Sequence, residues 1–250
     1  MKTIAFFNVK GGVGKTTSAV NLAYCAAAAD VKTLLWDLDP QSCASWYLGI
    51  DDDSNHKALR VFKGKSPLGT LRIRTAYPKL QVIPADLSLR KLELLLSDKT
   101  NTRRVLEKLA DNLSENNQLL MFDCAPAFSK LSENVFTCSD LLLVPLLPSP
   151  LSLRSYQQLC DYVQEKKAWK HLQLIPFFTM VDRRRKIHNE VIDNARKLVG
   201  FDNPFVIPYC SDLEKMGVYR KPVQEFAGKS AAAQAYTALW QYIMKQYHLL

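Results

Sequence analysis

A doubly wound α/β fold, with a mostly parallel sheet flanked by helices, is what this sequence predicts, and three observations carry it. Short β-branched or aromatic runs at residues 3–8, 33–37, 80–84, 119–123, 141–145, 172–180 and 205–208 alternate with amphipathic stretches, the order expected of parallel strands joined through helices. Several of these runs are almost continuously apolar, as strands covered on both faces must be. The first run is followed at once by a glycine-rich turn, Lys10-Gly11-Gly12-Val13-Gly14-Lys15-Thr16-Thr17, and then by a helix-compatible stretch at 18–29.

The helical segments justify themselves by spacing. Between residues 152 and 166 the apolar positions Leu153, Tyr156, Cys160 and Val163 fall three and four apart, the mark of a helix with one buried stripe. A second stripe, Tyr236, Leu239, Trp240, Ile243 and Tyr247, predicts a core-packing helix. There is no internal repeat and no linker rich in Pro, Gly or Ser, so residues 1–250 read as one domain. The stretch 51–75 opens with three aspartates and turns basic at Lys57, Arg60, Lys63, Lys65, Arg72 and Arg74. It reads as a surface insertion between the second and third strands, with no element assigned.

Composition bounds the function. The chain has 250 residues, 48% of them hydrophobic, enough to bury one large core. Its net charge of +9 suits a polyanionic partner, although an anionic membrane would be attracted equally. The six cysteines (Cys25, Cys43, Cys124, Cys138, Cys160, Cys210) follow no CxxC or zinc spacing and read as reduced, mostly buried thiols of a cytosolic chain. No leader pattern opens the sequence. Its longest apolar segment, 141–147, falls far short of the ~20 residues a membrane span needs, so a soluble protein is expected.

The turn at residues 10–17 carries the first chemistry. A strand, a glycine-rich turn and a helix in that order present a concave row of backbone N–H groups at a positive helix end, which a triphosphate requires. Gly11, Gly12 and Gly14 let the backbone approach phosphate oxygens. Val13 and Thr17 complete the cradle, Lys15 would reach the β/γ-phosphates, and the Thr16 hydroxyl would ligate Mg²⁺. Val9 stands where the strict P-loop pattern has its first glycine, and Lys10 takes over as the distinctive residue.

In this the sequence resembles the ParA/MinD group of deviant P-loop ATPases, marked by a lysine early in the loop. The resemblance implies an ATP-sandwiched homodimer in which Lys10 crosses to the partner's nucleotide and neutralises developing charge on the γ-phosphate. It extends to Asp37-Leu38-Asp39-Pro40-Gln41, whose two carboxylates close the second apolar run, and to Asp123, which ends the fourth. By the same resemblance Asp37 holds the Mg²⁺ shell through water, Asp39 orients or activates the attacking water, and Asp123 bonds a magnesium water. The family usually has a second proline where Ala125 stands.

Similarity continues at residues 179–184, 206–208, 221–222 and 235–236, and is weakest between about 51 and 78. In the family the loop after the Ile207-Pro208 pair borders the adenine, which implicates Pro208 and Cys210; Tyr209 and Cys210 replace the usual arginine and asparagine. Basic residues collect at Arg183, Arg184, Arg185 and Lys186, at Arg196 and Lys197, and at Lys215, Arg220, Lys221 and Lys229. As a group they point to non-specific double-stranded DNA, with Arg183, Arg184, Lys186, Lys215, Arg220 and Lys221 as candidate contacts and Arg184 first among them. The resemblance further implies slow ATP hydrolysis stimulated by a separate ParB-like or other cargo adaptor, plasmid, chromosome or other cargo positioning, and a cytoplasmic, nucleoid-associated protein without a membrane partner.

Three rival readings share parts of this evidence. A MinD-like membrane-cycling ATPase usually carries glycine at the position of Val9 and ends in a basic amphipathic membrane helix, whereas the terminal stripe here reads as core. An iron–sulfur reductase needs clustered cysteines, and Cys124 beside Asp123 has no evident companion. A binding module without hydrolysis would need a damaged site, and Lys10, Lys15, Thr16, Asp37, Asp39 and Asp123 are all present.

Overall fold

The computed structural model describes residues 1–51, 57–97, 105–111, 113, 116–196 and 204–247. Along the chain run β1 (Lys2–Phe6), α1 (Lys15–Ala28), β2 (Thr33–Asp37), α2 (Cys43–Tyr47), α3 (Lys57–Phe62), a 3₁₀ turn (Leu68–Leu71), β3 (Ile73–Arg74), β4 (Leu80–Ile83), α4 (Leu89–Ser97), α5 (Val105–Asp111) and β5 (Leu119–Asp123). There follow α6 (Lys130–Cys138), β6 (Leu141–Leu146), α7 (Pro150–Gln164), a second 3₁₀ turn (Lys167–Trp169), β7 (Gln173–Val181), α8 (Lys186–Ala195), β8 (Phe205–Pro208), α9 (Ser211–Tyr219), α10 (Val223–Ala227) and α11 (Ala231–Tyr247).

The strands form one eight-stranded sheet in the order β3-β4-β2-β5-β1-β6-β7-β8. All seven runs read as strands from the sequence are strands, and every pairing is parallel except the short antiparallel β3 against β4. Their apolar runs follow from burial on both faces: all five residues of β2, five of β5 and six of β6 are buried. One face packs Trp36, Phe122 and Phe178 against α4 to α8. The other packs Leu35, Met121 and Phe177 against α1 and α9 to α11. Each fully buried Leu or Phe contributes about 1.5–3 kcal/mol relative to exposure, so the two layers hold the sheet from both sides.

The stretch left unassigned between the second and third strands carries α3, a 3₁₀ turn and β3 over its described part. Val61 and Leu68 drop into the core, and Phe62 packs on Trp36 with ring centroids 6.1 Å apart. Residues 52–56 and the side chain of Lys57 lie outside the described residues, as does Lys197 of the basic cluster. The terminal stripe behaves as read: Tyr236, Leu239, Trp240 and Ile243 of α11 are buried. The Tyr236 hydroxyl meets the Ser18 hydroxyl of α1 at 3.0 Å, and Asn21 of α1 accepts the Val223 N–H at 2.9 Å. These contacts fix the helix that begins at the phosphate turn.

Candidate nucleotide site

The carboxyl ends of β1, β2 and β5 lie side by side, with Asp37 opposite Asp123 and Asp123 opposite Phe6 in strand register. Side chains from three segments distant in sequence are thereby brought to one edge of the sheet, where parallel sheets bind ligands. The phosphate turn leaves β1 through Asn8, which is buried; its amide donates to the Pro145 carbonyl and its side-chain oxygen accepts the Lys10 N–H. Gly12 and Gly14 adopt φ of 71° and 84°, the left-handed region that a side chain resists. Gly14 is the N-cap of α1 and has no side-chain cap, so the first-turn N–H groups of that helix are left for a ligand. The Thr179 hydroxyl, at the far end of β7, donates to the Val13 carbonyl at 2.9 Å and pins the back of the turn.

Lys15 is 7% exposed and donates from Nζ to the Lys10 carbonyl at 2.9 Å. Burial pulls its pKa down, while the charges of Asp123 and Asp39 pull it up. The carboxylates are unequal. Asp37 is fully buried, and its two oxygens accept the N–H groups of Asp39 at 3.0 Å and Ala44 at 3.1 Å. Asp39 is half-buried and accepts the Gln41 N–H. Asp123 is fully buried and neither oxygen has a well-formed hydrogen bond, although the Thr16 hydroxyl is near enough to favour its charged form. Burial pushes both Asp37 and Asp123 above the ordinary carboxylate range, and the crowding of acidic neighbours adds to it. Cys124 beside Asp123 is a buried thiol pushed up by the same two causes.

A buried carboxylate this sparsely bonded is costly, and one that faces the phosphate turn fits a role toward a hydrated cation. Among the described residues no group of three or more His, Cys, Asp or Glu is placed to hold a metal directly. A magnesium ion would therefore be held through the Thr16 hydroxyl and phosphate oxygens, with Asp123 engaging its waters. Asp37 also braces the loop that bears Asp39, since each of its oxygens accepts one backbone N–H and keeps a further acceptor site.

Beside the phosphate turn opens a cleft of about 200 Å³ lined in part by Gly14, Thr17, Tyr47, Met180, Pro208 and Cys210. It contains both residues implicated from the sequence, Pro208 and Cys210, and reaches the helix N-terminus at Gly14. Tyr47 and Met180 were missed by sequence reasoning. Met180 is the bulged residue of β7, at φ 54°, and no local motif announces it.

A family model described as an AAA domain matches residues 1–174. Over 247 residues the chain is 31% identical to the chromosome partitioning protein ParA of Caulobacter vibrioides, covering 96% of this chain and 92% of that one. The chain belongs to the ParA/MinD family of P-loop ATPases. The fold of McdA from Cyanothece, solved as an ATP complex, superposes with a TM-score of 0.84 at 20% identity, over 96% of this chain and 95% of that one. MinD of Pyrococcus horikoshii, solved with Mg-ADP, superposes with a TM-score of 0.79 at 19% identity and covers 98% of each chain.

Of the six carboxyl-third cations put forward as DNA contacts, five are engaged within the chain. Arg184 forks onto Asp182 at 2.9 and 2.8 Å and holds that carboxyl down to about 2. Lys215 pairs with Asp212 at 2.9 Å, and Lys186 lies 3.8 Å from Glu190. Arg183 bonds Asn189, while exposed Lys221 shows no ion pair among the described residues. Arg220 grips Asp51 with both terminal nitrogens, at 2.9 and 2.7 Å, and lies 4.0 Å over the Trp46 ring. Its side chain ties α2 to the end of α9.

Proposed function

We propose that this chain is an ATP-dependent, dimerising ATPase that binds duplex DNA without reading sequence and positions a plasmid, chromosome or other intracellular cargo. The observation that carries the nucleotide part is the convergence of the Gly12–Gly14 turn, buried Lys15 and fully buried Asp123 beside Thr16 on one edge, continuous with the cleft at Pro208 and Cys210. ATP and Mg²⁺ fit that donor set: the turn supplies N–H groups to phosphate oxygens, Lys15 a positive charge, and Thr16 and Asp123 the oxygens for a hydrated cation. When bound, the ion would offset charge on the phosphates. The ATP and Mg-ADP complexes named for the structural neighbours support the same assignment.

In this reading Lys15 fixes the β/γ-phosphates and Asp39, held on the loop braced by Asp37, orients the attacking water. Lys10 belongs to the partner's reaction: its backbone is held at the rim by Asn8 and Lys15, and its ammonium is assigned to the nucleotide of a second copy. Hydrolysis is then tied to dimerisation and remains slow until a ParB-like or other adaptor engages. The expected location is the cytoplasm, on the nucleoid. The net charge of +9 supports DNA as the surface partner. A MinD-like membrane cycle is less well supported, because the aromatic stripe of α11 is packed in the core rather than offered to lipid.

Sedimentation with non-specific duplex DNA in the presence of ATP, ADP or no nucleotide, across a salt series, tests this reading. Retention that requires ATP and weakens steeply with salt is expected. Binding to anionic vesicles in place of DNA would replace it with the membrane reading.

A further inference from the structure

The segment 57–79 holds seven Lys or Arg residues and no Asp or Glu, and so supplies seven units of the chain's net +9. Lys79 pairs with Asp30. The other described cationic side chains, Arg60, Lys63, Lys65, Arg72 and Arg74, make no ion pair among the described residues, and four of the five are exposed. At the carboxyl third the cations are divided: Arg184, Lys186, Lys215 and Arg220 have carboxylate partners, whereas exposed Arg183, Arg185, Arg196, Lys221 and Lys229 make no ion pair among the described residues.

We propose that this insertion between β2 and β4 is a phosphate-backbone surface for duplex DNA. The proposal deepens, and rests on, the reading that the protein binds DNA non-specifically. A cation already held by a carboxylate must give up that partner to bind a phosphate, whereas an unpaired one releases only its counterions. The frame beneath is firm. Val61 and Leu68 are buried in the core, Phe62 packs on Trp36, and Ile73 packs against the opposite layer while Arg74 beside it is exposed. Arg72 lies over Gly69, with its Nε donating to the Gly69 carbonyl at 3.4 Å and one guanidinium nitrogen 3.3 Å from where a Cβ would stand.

The same surface is poorly suited to a membrane. Among the described side chains, none of the large exposed hydrophobic ones (Trp46, Leu87, Phe128, Leu151, Val218 and the rest) falls between 60 and 79, so this part of the patch has charge without the apolar anchors that interfacial binding uses. Duplex DNA asks only for cations on a fixed frame.

The test neutralises Arg60, Lys63, Lys65 and Arg74 together (Arg60→Gln, Lys63→Gln, Lys65→Gln, Arg74→Gln) and leaves Arg72 in place because it packs locally. Binding of a fluorescent ATP analogue serves as the control for folding. Affinity for a random-sequence duplex, with ATP, should fall at least about tenfold at moderate salt, and the slope of log K against log salt should shrink by about 0.9 for each phosphate no longer neutralised. If the parent protein binds duplex and the fourfold variant binds it with unchanged slope, this inference alone is wrong. If the parent fails to bind duplex, the DNA reading itself fails and takes the inference with it. Loss of binding to phosphatidylglycerol vesicles with duplex binding intact would also overturn it, in favour of a lipid surface.

Discussion

Asp37 and Asp123 stand opposite one another at the carboxyl ends of neighbouring parallel strands, and both are fully buried, yet Asp37 accepts two backbone N–H groups while Asp123 has only the Thr16 hydroxyl beside it. One carboxylate braces a loop, and the other meets a hydroxyl in the first turn of α1.

That difference predicts opposite phenotypes. Asp37→Ala leaves the N–H groups of Asp39 and Ala44 without their acceptor, at about 1–3 kcal/mol for each that stays dry. Asp123→Ala removes a buried carboxylate whose one hydroxyl neighbour, Thr16, does not offset its burial, and should leave the nucleotide-free protein as stable as the parent or more so. Thermal unfolding without nucleotide measures the contrast, and Mg²⁺ dependence of ATP binding should be lost chiefly in Asp123→Ala.

Lys15 is buried against the Lys10 carbonyl before any ligand arrives. Lys15→Ala should raise the dissociation constant for ATP by two orders of magnitude or so, since charge-assisted hydrogen bonds contribute about 1.5–3 kcal/mol each. Calorimetric titration checks this.

Met180 occupies the left-handed region at the mouth of the base cleft. Met180→Gly relieves a backbone cost of roughly 1–2 kcal/mol and offsets the missing apolar side chain, so stability should hold. Affinity for ATP should drop while affinity for inorganic triphosphate stays as it was, a comparison that competition binding can make.

Arg220 is also left-handed, at φ 53°, and there its side chain joins Trp46 to Asp51. Arg220→Ala should lower the melting temperature more than Arg220→Gly, because glycine accepts that backbone and alanine does not. The salt slope of DNA binding should change little in either variant, which separates a clamp from a DNA contact.

The strand framework was legible because strands covered on both faces need apolar residues at every position, as in Leu119–Asp123 and Leu141–Leu146. The phosphate turn was legible because Gly14, Lys15 and Thr16 act through backbone geometry at fixed spacing. The insertion was not, since Val61, Phe62 and Leu68 reach the core at irregular intervals broken by Gly64 and Pro67. Long-range relationships were hidden altogether. Nothing local reveals that Arg220 meets Asp51, 169 residues away, or that a bulge turns Met180 into the base cleft. The family resemblance gave Asp37 and Asp39 separate roles, and the full burial of Asp37 with two backbone N–H groups on it became visible only in the structure.

The claim that Lys10 serves the neighbouring copy is tested most directly by mixing two inactive variants. Lys10→Ala keeps its own Asp39, and Asp39→Ala keeps a Lys10 to donate, so a mixed dimer contains one complete site if the lysine crosses over. Equal mixing should then restore about a quarter of parent ATP turnover, since half of randomly paired symmetric dimers are mixed and each has one complete site of two. A mixture as inactive as its components, with mixed dimers demonstrated in the sample, would contradict the account.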